Sequence, residues 1–347
     1  MLVLGVETSC DETACALVAD GRRVLANVVA SQDELHEEYA GVVPEIASRA
    51  HVERITPILR AALDEAGCAL ADIDAVAVGN RPGLIGSLLV GVAGAKALAW
   101  SLGVPVVGVD HVQSHLYAGC LERDLPAFPA LGLVVSGGHT AMYEVASPTE
   151  LVRIGATIDD AVGEAYDKCG VMLGLPFPSG PKVDALAQAG DERAFEFPVT
   201  RLDPDSLDFS YAGLKTSVLY TVRGKPRREG DSVVFERDGA DLTERERADI
   251  AASFQRAAMA QIMLKLERAL DRLPDVRALL VGGGVSANSR LRATLTDLAA
   301  QRGLDLRLPA MAYCLDNAAM IAGLGFHLLE AGRASDLSLR AVPTTAC

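Results

Sequence analysis

With 347 residues, half of them apolar and 5% aromatic, the chain has the composition of an ordered globular protein whose cores are built from Ala, Val, Leu and Gly. Its length suits two domains at about 150 residues each. The net charge of −14 excludes a broad electrostatic grip on nucleic acid, which draws its affinity from many Lys and Arg contacts to phosphate. A nucleic-acid substrate would need a local basic patch or a partner protein.

Seven cysteines, at 10, 15, 68, 120, 169, 314 and 347, are scattered and form no C-x-x-C pair. They read as reduced thiols of a cytosolic protein. Met1 to Glu7 lacks a basic leader and reads as a strand. The most hydrophobic stretch, Leu84 to Val109, is broken by Lys96, Gly103 and Pro105, short of the ~20 continuous apolar residues of a membrane span. No membrane association is expected.

Along the chain, strands are expected at Leu2 to Thr8, Thr13 to Ala19 and Arg22 to Ala30. Asp20-Gly21 joins the last two as a type I′ hairpin turn, which needs positive φ at both positions, and Ser9, Asp11 and Glu12 fall on the turn joining the first two. A helix from Pro44 to Ala66, a strand from Ala75 to Gly79, a Gly-rich helix from Gly83 to Leu102 and a strand from Val104 to Val109 follow. The order then repeats: strands at Leu131 to Ser136, Thr140 to Ala146 and Leu151 to Thr157, and a helix from Asp159 to Leu173. After an irregular stretch come helix Thr243 to Arg272, strand Ala278 to Val281, helix Ser286 to Arg302 and strand Leu304 to Leu308.

His111-Val112-Gln113-Ser114-His115 follows the last strand of the first unit. Residues four apart share a helix face, and two imidazoles on one face can hold two positions of a metal ion. Two water-solvated rings have the same spacing. Val112 stands where a zinc-protease helix carries its general base, which disfavours a metalloprotease. Ser136-Gly137-Gly138-His139-Thr140 offers a hairpin of backbone N–H groups to an anion. Val281-Gly282-Gly283-Gly284 runs from a strand into a helix start, where close backbone approach and a helix N-terminus favour a nucleotide. Asp167, Gly180 and Asp184 are candidates for a ribose, although helix-surface acids are usually only solvated. Asp316 opens the last helix and is the natural third ligand for His111 and His115, or else an ordinary N-cap.

The duplicated βββαβαβα order is that of the two-lobed actin, sugar-kinase and heat-shock-chaperone ATPase fold, an α/β architecture with an interlobe nucleotide cleft. It implies a first lobe of residues 1–110 plus about 318–347 and a second of 111–317, with a basic insertion at 221–241. Fold alone assigns no activity.

Gly5-Val6-Glu7-Thr8-Ser9-Cys10-Asp11-Glu12-Thr13, Val43 to His51, Pro82 to Leu88, Ser136 to Thr140 and the Gly282 and Cys314 segments together resemble the TsaD family of tRNA threonylcarbamoyladenosine transferases, earlier described as O-sialoglycoprotein endopeptidases. The resemblance runs from residue 3 to about 330. It implies transfer of the threonylcarbamoyl group of threonylcarbamoyl-adenylate to the exocyclic amine of the adenosine 3′ of the anticodon, with release of AMP. It also implies His111, His115 and Asp316 as metal ligands, for iron(II) before zinc, and Val135, Ser136, Gly137, Gly138, His139, Asp167, Gly180, Asp184 and Asn288 as substrate contacts. Asp11 and Glu12 match acids the family needs for activity. An inactive paralogous subunit and a small ATPase are the implied partners, with helix Pro44 to Ala66 as a candidate dimer face.

Asp110, Ser114, Arg81 and Leu315 depart from the family's usual Asn, Gly, Gly and Thr. Arg223, Lys225, Arg227 and Arg228, the densest basic cluster, form a candidate tRNA contact or a solvated loop. The rival readings are a small-molecule kinase of the same superfamily, indifferent to His111, and a non-enzymatic nucleotide-switched scaffold, indifferent to Asp11 and Glu12.

Overall fold

Two five-stranded mixed sheets form the framework, and the chain winds both in the same way. The computed structural model that gives this arrangement describes residues 1–39, 41–229, 232–237 and 239–344. Parts of the expected basic insertion and the terminal Cys347 lie outside the described residues.

In the first sheet β1 (Leu2–Glu7), β2 (Glu12–Ala19) and β3 (Arg23–Ser31) meander antiparallel. Then β4 (Ala75–Arg81) and β5 (Val106–Asp110) add in parallel on the far side of β1, giving the order β3-β2-β1-β4-β5. In the second sheet β6 (Ala130–Val135), β7 (Thr140–Ser147) and β8 (Glu150–Ala156) meander in turn. After a small hairpin, β9 (Arg227–Glu229) and β10 (Ser232–Val234), the strands β11 (Ala278–Gly282) and β12 (Asp305–Arg307) add in parallel beside β6. The order is β12-β11-β6-β7-β8, and the expected duplication is therefore a duplication of topology. Asp20 and Gly21 have φ of 52° and 73°, as the I′ turn between β2 and β3 demands.

The helices are α1 (Asp33–His36), α2 (Pro44–Ala66), α3 (Ile85–Leu102), α4 (His111–Tyr117), α5 (Val162–Met172), α6 (Gly180–Ala187), α7 (Ala212–Arg223), α8 (Glu244–Arg272), α9 (Ser289–Arg302) and α10 (Ala318–Glu330). The local signals that bound them are strong: Pro44 at the first turn of α2, the Thr243–Glu246 capping box of α8, and left-handed glycines Gly67, Gly103 and Gly303 after α2, α3 and α9.

Three boundaries differ from the sequence expectation because tertiary partners compete for the residues involved. Gly83 is held outside α3, packed against the Ser9 backbone, while the Leu84 N–H donates to the Ser9 carbonyl at 2.8 Å. Asp159 does not open α5; it accepts from Ser210 Oγ and the Tyr211 and Ala212 N–H groups and so caps α7 from fifty residues upstream. Gly284–Ala287 is a separate 3₁₀ turn, and the cap of α9 is Asn288 rather than Ser286. Helices α6 and α7 occupy what reads as irregular sequence. By length and composition α3 is able to cross a membrane, with 18 residues at mean hydropathy 1.5, contrary to the reading of Leu84 to Val109 as too interrupted. In the fold it lies against α2 and β4, burying Leu88, Val92, Ala95 and Ala99.

The last helix of each unit crosses over. After β5, α4 packs on β6 and β11 of the second sheet; after β12, α10 packs on β1, β2 and β4 of the first, and the two helices touch. The apolar cluster around them, including Val3, Val109, Leu116, Val134, Leu280 and Ile321, joins the sheets into one structure. Two glycines permit the crossing. A Cβ on Gly5 would overlap the Ala318 carbonyl of α10, and one on Gly282 would overlap the His115 carbonyl of α4. The molecule's centre is thus where the N-terminal ends of α4 and α10 meet.

Candidate functional site

Helix α4 begins at His111 because Asp110 caps it, accepting from the Gln113 N–H at 3.1 Å. Four residues on, His115 lies on the same face, and the two rings meet edge to face with centroids 4.7 Å apart. Asp316, immediately ahead of α10, completes the group. Its Oδ1 is 3.5 Å from His111 Nε2 and 3.2 Å from His115 Nε2. The N-cap of α10 is Asn317, whose side chain accepts from the Met320 N–H. Asp316 is therefore released from the capping role that its position in sequence allowed.

His111, His115 and Asp316 present one ligand atom each within 4.8 Å of one another. His115 is fully buried, yet neither of its ring nitrogens has a hydrogen bond; Asp316 Oδ1 approaches Nε2 without the alignment of one. A buried imidazole without a hydrogen-bond partner is costly, and an ion between two imidazoles and a carboxylate removes that cost. The donor set fits a divalent transition metal.

The strand β1 ends in Glu7, its one charged residue and fully buried. Glu7 Oε2 accepts from His111 Nδ1–H at 3.1 Å, and Oε1 accepts from the Ser9 N–H at 2.5 Å. Ser9 Oγ lies 3.2 Å from the same ring nitrogen. Glu7 thus keeps a proton on Nδ1 and leaves Nε2, on the Asp316 side, as the nitrogen that would bind an ion, the orientation that metal-bound histidines take from an outer carboxylate. Sequence reasoning missed Glu7 and Ser9; the signal was a lone acid at the end of an otherwise apolar buried strand. Changing Glu7→Gln should weaken divalent-metal affinity by about 10–100-fold with the circular dichroism unchanged. Chelator competition reads it, and an unaltered affinity would remove Glu7 from the site.

The charges respond to one another. Burial lowers the proton affinity of His111, but the carboxylates of Asp316 and Glu7 outweigh it and hold the ring well above its ordinary value. Burial and the neighbouring His111 keep His115 low. Burial opposes ionisation of Asp316, and the two histidines overcome it and hold the carboxyl well below the usual range. Glu12 is pushed the other way, well up, by burial and by the nearby Asp316 and Asp11. The turn carrying Asp11 and Glu12 therefore lies within electrostatic reach of the triad. His139 does too: burial, His111 and His115 lower it to about 4, so it is neutral near pH 7.

The second turn, Ser136 to His139, closes on itself through the Ser136 N–H to the His139 carbonyl at 2.8 Å and the His139 N–H to Ser136 Oγ at 3.1 Å. Gly137 and Gly138 face open space, and Val135 ends β6 fully buried. Gly283, at φ 93°, packs against the Val135 carbonyl, so the two Gly-rich turns lie side by side. Beyond them Asp167, Gly180, Asp184 and Asn288 form a second, connected group. Asp167 Oδ1 accepts from the Ser179 and Gly180 N–H groups and caps α6. Asp184 uses both oxygens on Ser289, and Asn288 caps α9 while donating to Gln255 at 2.9 Å. The link to the triad is Leu315, 62% exposed, whose side chain lies against Gly284 next to Asp316.

Two departures from the family pattern meet one another. Asp110 is buried, and its Oδ2 is 3.4 Å from Arg81 Nε. Ser114 is buried and donates to the His111 carbonyl at 2.7 Å.

The family profile described as tRNA N6-adenosine threonylcarbamoyltransferase matches residues 23–323. Proteins of that name from Trichlorobacter lovleyi and Pelobacter propionicus are each 48% identical over 344 residues, covering 99% of this chain and 96% and 97% of theirs. One from Bacillus cereus is 46% identical over 343 residues, covering 99% and 95%. Among solved structures, HypF from T. kodakarensis superposes with a TM-score of 0.60 at 14% identity, covering 95% of this chain and 48% of that one. The activator of the 2-hydroxyisocaproyl-CoA dehydratase from Clostridium difficile, solved with bound ADPNP, gives 0.53 at 11%, covering 96% and 97%. At those identities the likeness is one of fold.

Proposed function

The chain belongs to the tRNA N6-adenosine threonylcarbamoyltransferase family, and on that premise we propose that it takes threonylcarbamoyl-adenylate and passes the threonylcarbamoyl group to N6 of the adenosine 3′ of the anticodon, releasing AMP. In this reaction the N6 amine attacks the carbamoyl carbon, the bond from that carbon to the phosphate oxygen breaks, and one amine proton must leave. The observation that carries the reading is the convergence of His111, His115 and Asp316 with Glu12 and His139 where the two sheets meet.

His111, His115 and Asp316 would hold the ion, for which the family resemblance implies iron(II) before zinc, and it would supply a Lewis acid for a phosphate or carbonyl oxygen. The protein groups do the rest. The Ser136–His139 turn receives the phosphate on its backbone N–H groups, with neutral His139 as a hydrogen-bonding side chain. The group of Asp167, Gly180, Asp184 and Asn288 frames the adenosine. Glu12, whose carboxyl binds a proton more tightly than usual because of burial, Asp316 and Asp11, accepts the N6 proton.

The paralogous subunit finds an apolar face where α2 and α3 pack together, with Val52, Ile85 and Leu89 exposed. For tRNA, Arg223, Lys225, Arg227 and Arg228 offer the local basic patch; Arg227 is paired with Glu236 at 2.6 Å, and Lys225 and Arg228 are exposed. The cytoplasm is the compartment that suits a tRNA substrate and unpaired thiols.

The test is reconstitution: chain, unmodified tRNA, threonylcarbamoyl-adenylate, paralogous subunit and small ATPase, with nucleoside formation read by mass spectrometry. Product is expected with metal present and is lost after chelation. No product with any divalent metal overturns the reading. Reversing the four basic charges should flatten the salt dependence of transfer; an unchanged slope assigns tRNA to another surface.

A further inference from the structure

Three polar side chains without exposure, Gln32, His36 and His51, fill the space between the end of β3, α1 and the start of α2. None of them belongs to the metal triad or to the nucleotide group. Their hydrogen bonds fix every proton. The Val43 N–H donates to His36 Nδ1 at 3.3 Å, so that nitrogen carries the lone pair and Nε2–H donates to Gln32 Oε1 at 3.3 Å. The Gln32 amide nitrogen in turn donates to the Ala47 carbonyl at 3.5 Å and to His51 Nδ1 at 3.4 Å. His51 Nδ1 also accepts from Thr13 Oγ1 at 2.8 Å. The proton of His51 is therefore on Nε2, and it is donated to the Cys10 carbonyl at 3.0 Å.

The chain of bonds thus runs from the entrance of α2 to the backbone of the turn that carries Asp11 and Glu12. On the other side of that turn, the Ser9 N–H is held by Glu7 and the Ser9 carbonyl by the Leu84 N–H. The turn is clamped at Ser9 from β1 and α3, and at Cys10 from α2. Burial lowers the proton affinity of the His51 ring, which favours the neutral form that the bonds require. A buried network of this kind, satisfied at every atom, fixes one geometry and is costly to leave half made.

We propose that His51, backed by Thr13, Gln32 and His36, is a positioning residue for transfer: by donating Nε2–H to the Cys10 carbonyl it aims the Asp11–Glu12 turn at the metal triad. The ring passes no proton to or from substrate. The inference rests on the reading that this turn carries the catalytic acids, and one of its readouts is independent of that reading.

His51→Leu removes the donor and keeps the volume. His51→Gln restores it, because a Gln amide can accept from Thr13 and donate to Cys10 with a spacing close to that of an imidazole. Hydrogen exchange of the Ser9–Thr13 amides is measured on wild type and both variants, with metal content and melting temperature, before any activity. Faster exchange in that segment is expected for His51→Leu, returning to the wild-type rate in His51→Gln, with metal content equal in all three. In the reconstituted assay, kcat should fall about 10²-fold in His51→Leu, as misplacement of a catalytic group by about 1 Å does. KM for tRNA and adenylate should stay put, and His51→Gln should recover most of kcat. If His51→Leu does not fold, Thr13→Val, which withdraws one donor from Nδ1, is expected to show the same exchange and kcat changes in smaller measure. Unchanged exchange in the turn, a loss confined to KM, or a His51→Gln variant as slow as His51→Leu overturns the proposal. A wild type that transfers nothing fails the functional reading, and the exchange result still decides this one.

Discussion

Asp316→Asn is expected to strip the protein of bound divalent metal and to stop threonylcarbamoyl transfer while leaving the fold intact. The carboxylate is the single anionic member of the triad, and Oδ1 faces both Nε2 atoms, at 3.2 and 3.5 Å. An amide keeps the shape but loses the charge that holds two buried imidazoles beside it. Affinity should fall by more than the 10–100-fold that loss of an outer-shell partner costs, because a ligand is lost here. The helix that follows does not suffer, since Asn317 caps it. Metal per chain by elemental mass spectrometry, together with the reconstituted assay, checks both halves. A variant that retains metal at the wild-type level would sink the assignment of Asp316.

The second large effect concerns Glu12. Its carboxyl titrates above the ordinary 4.5, raised by burial, Asp316 and Asp11. If it accepts the N6 proton it must be ionised, so transfer rises as pH rises through that elevated value, and Glu12→Gln abolishes this acid limb. The loss in kcat should be about 10²–10⁴-fold, the usual scale of a general base. Stability moves in the opposite sense. A carboxyl whose folded-state pKa lies above its unfolded value binds more protons in the native state, so wild-type stability declines as pH climbs from 4.5 through the raised value. Glu12→Gln lacks this decline and should be the more stable protein above that window, the trade expected where a strained site serves activity. Thermal melts and rate profiles across pH read the two together; a variant that keeps the acid limb assigns the limb to another group.

Much of the architecture was legible because its causes are local. The apolar runs and turn chemistry of residues 2–31 define β1 to β3, and Asp20-Gly21 supplies the positive φ that a I′ turn requires. Pro44 and Gly67 bound α2 at the expected residues. The i, i+4 spacing of His111 and His115 is a property of one helical turn. Where sequence reading failed, the deciding partner was remote. Helix α7 is capped by Asp159 and α6 by Asp167, and no neighbour in sequence announces either. The ambiguity at Asp316 was of the same kind: its sequence allowed a cap or a ligand, and the cap went to Asn317.

The sequence by itself therefore determined most of the elements, their duplicated order and the chemical identity of the metal-ligand candidates, because periodicity, turn preferences and resemblance reside in short segments. Tertiary structure alone decided that Glu7 holds the His111 proton, that Asp110 meets Arg81, that Asp184 and Asn288 brace helix ends, and that His51 grips the Cys10 carbonyl. The reason is geometric. A buried polar atom must find its partner wherever the packing of two sheets and two crossing helices puts one, and that address is written in the fold rather than in the neighbouring residues.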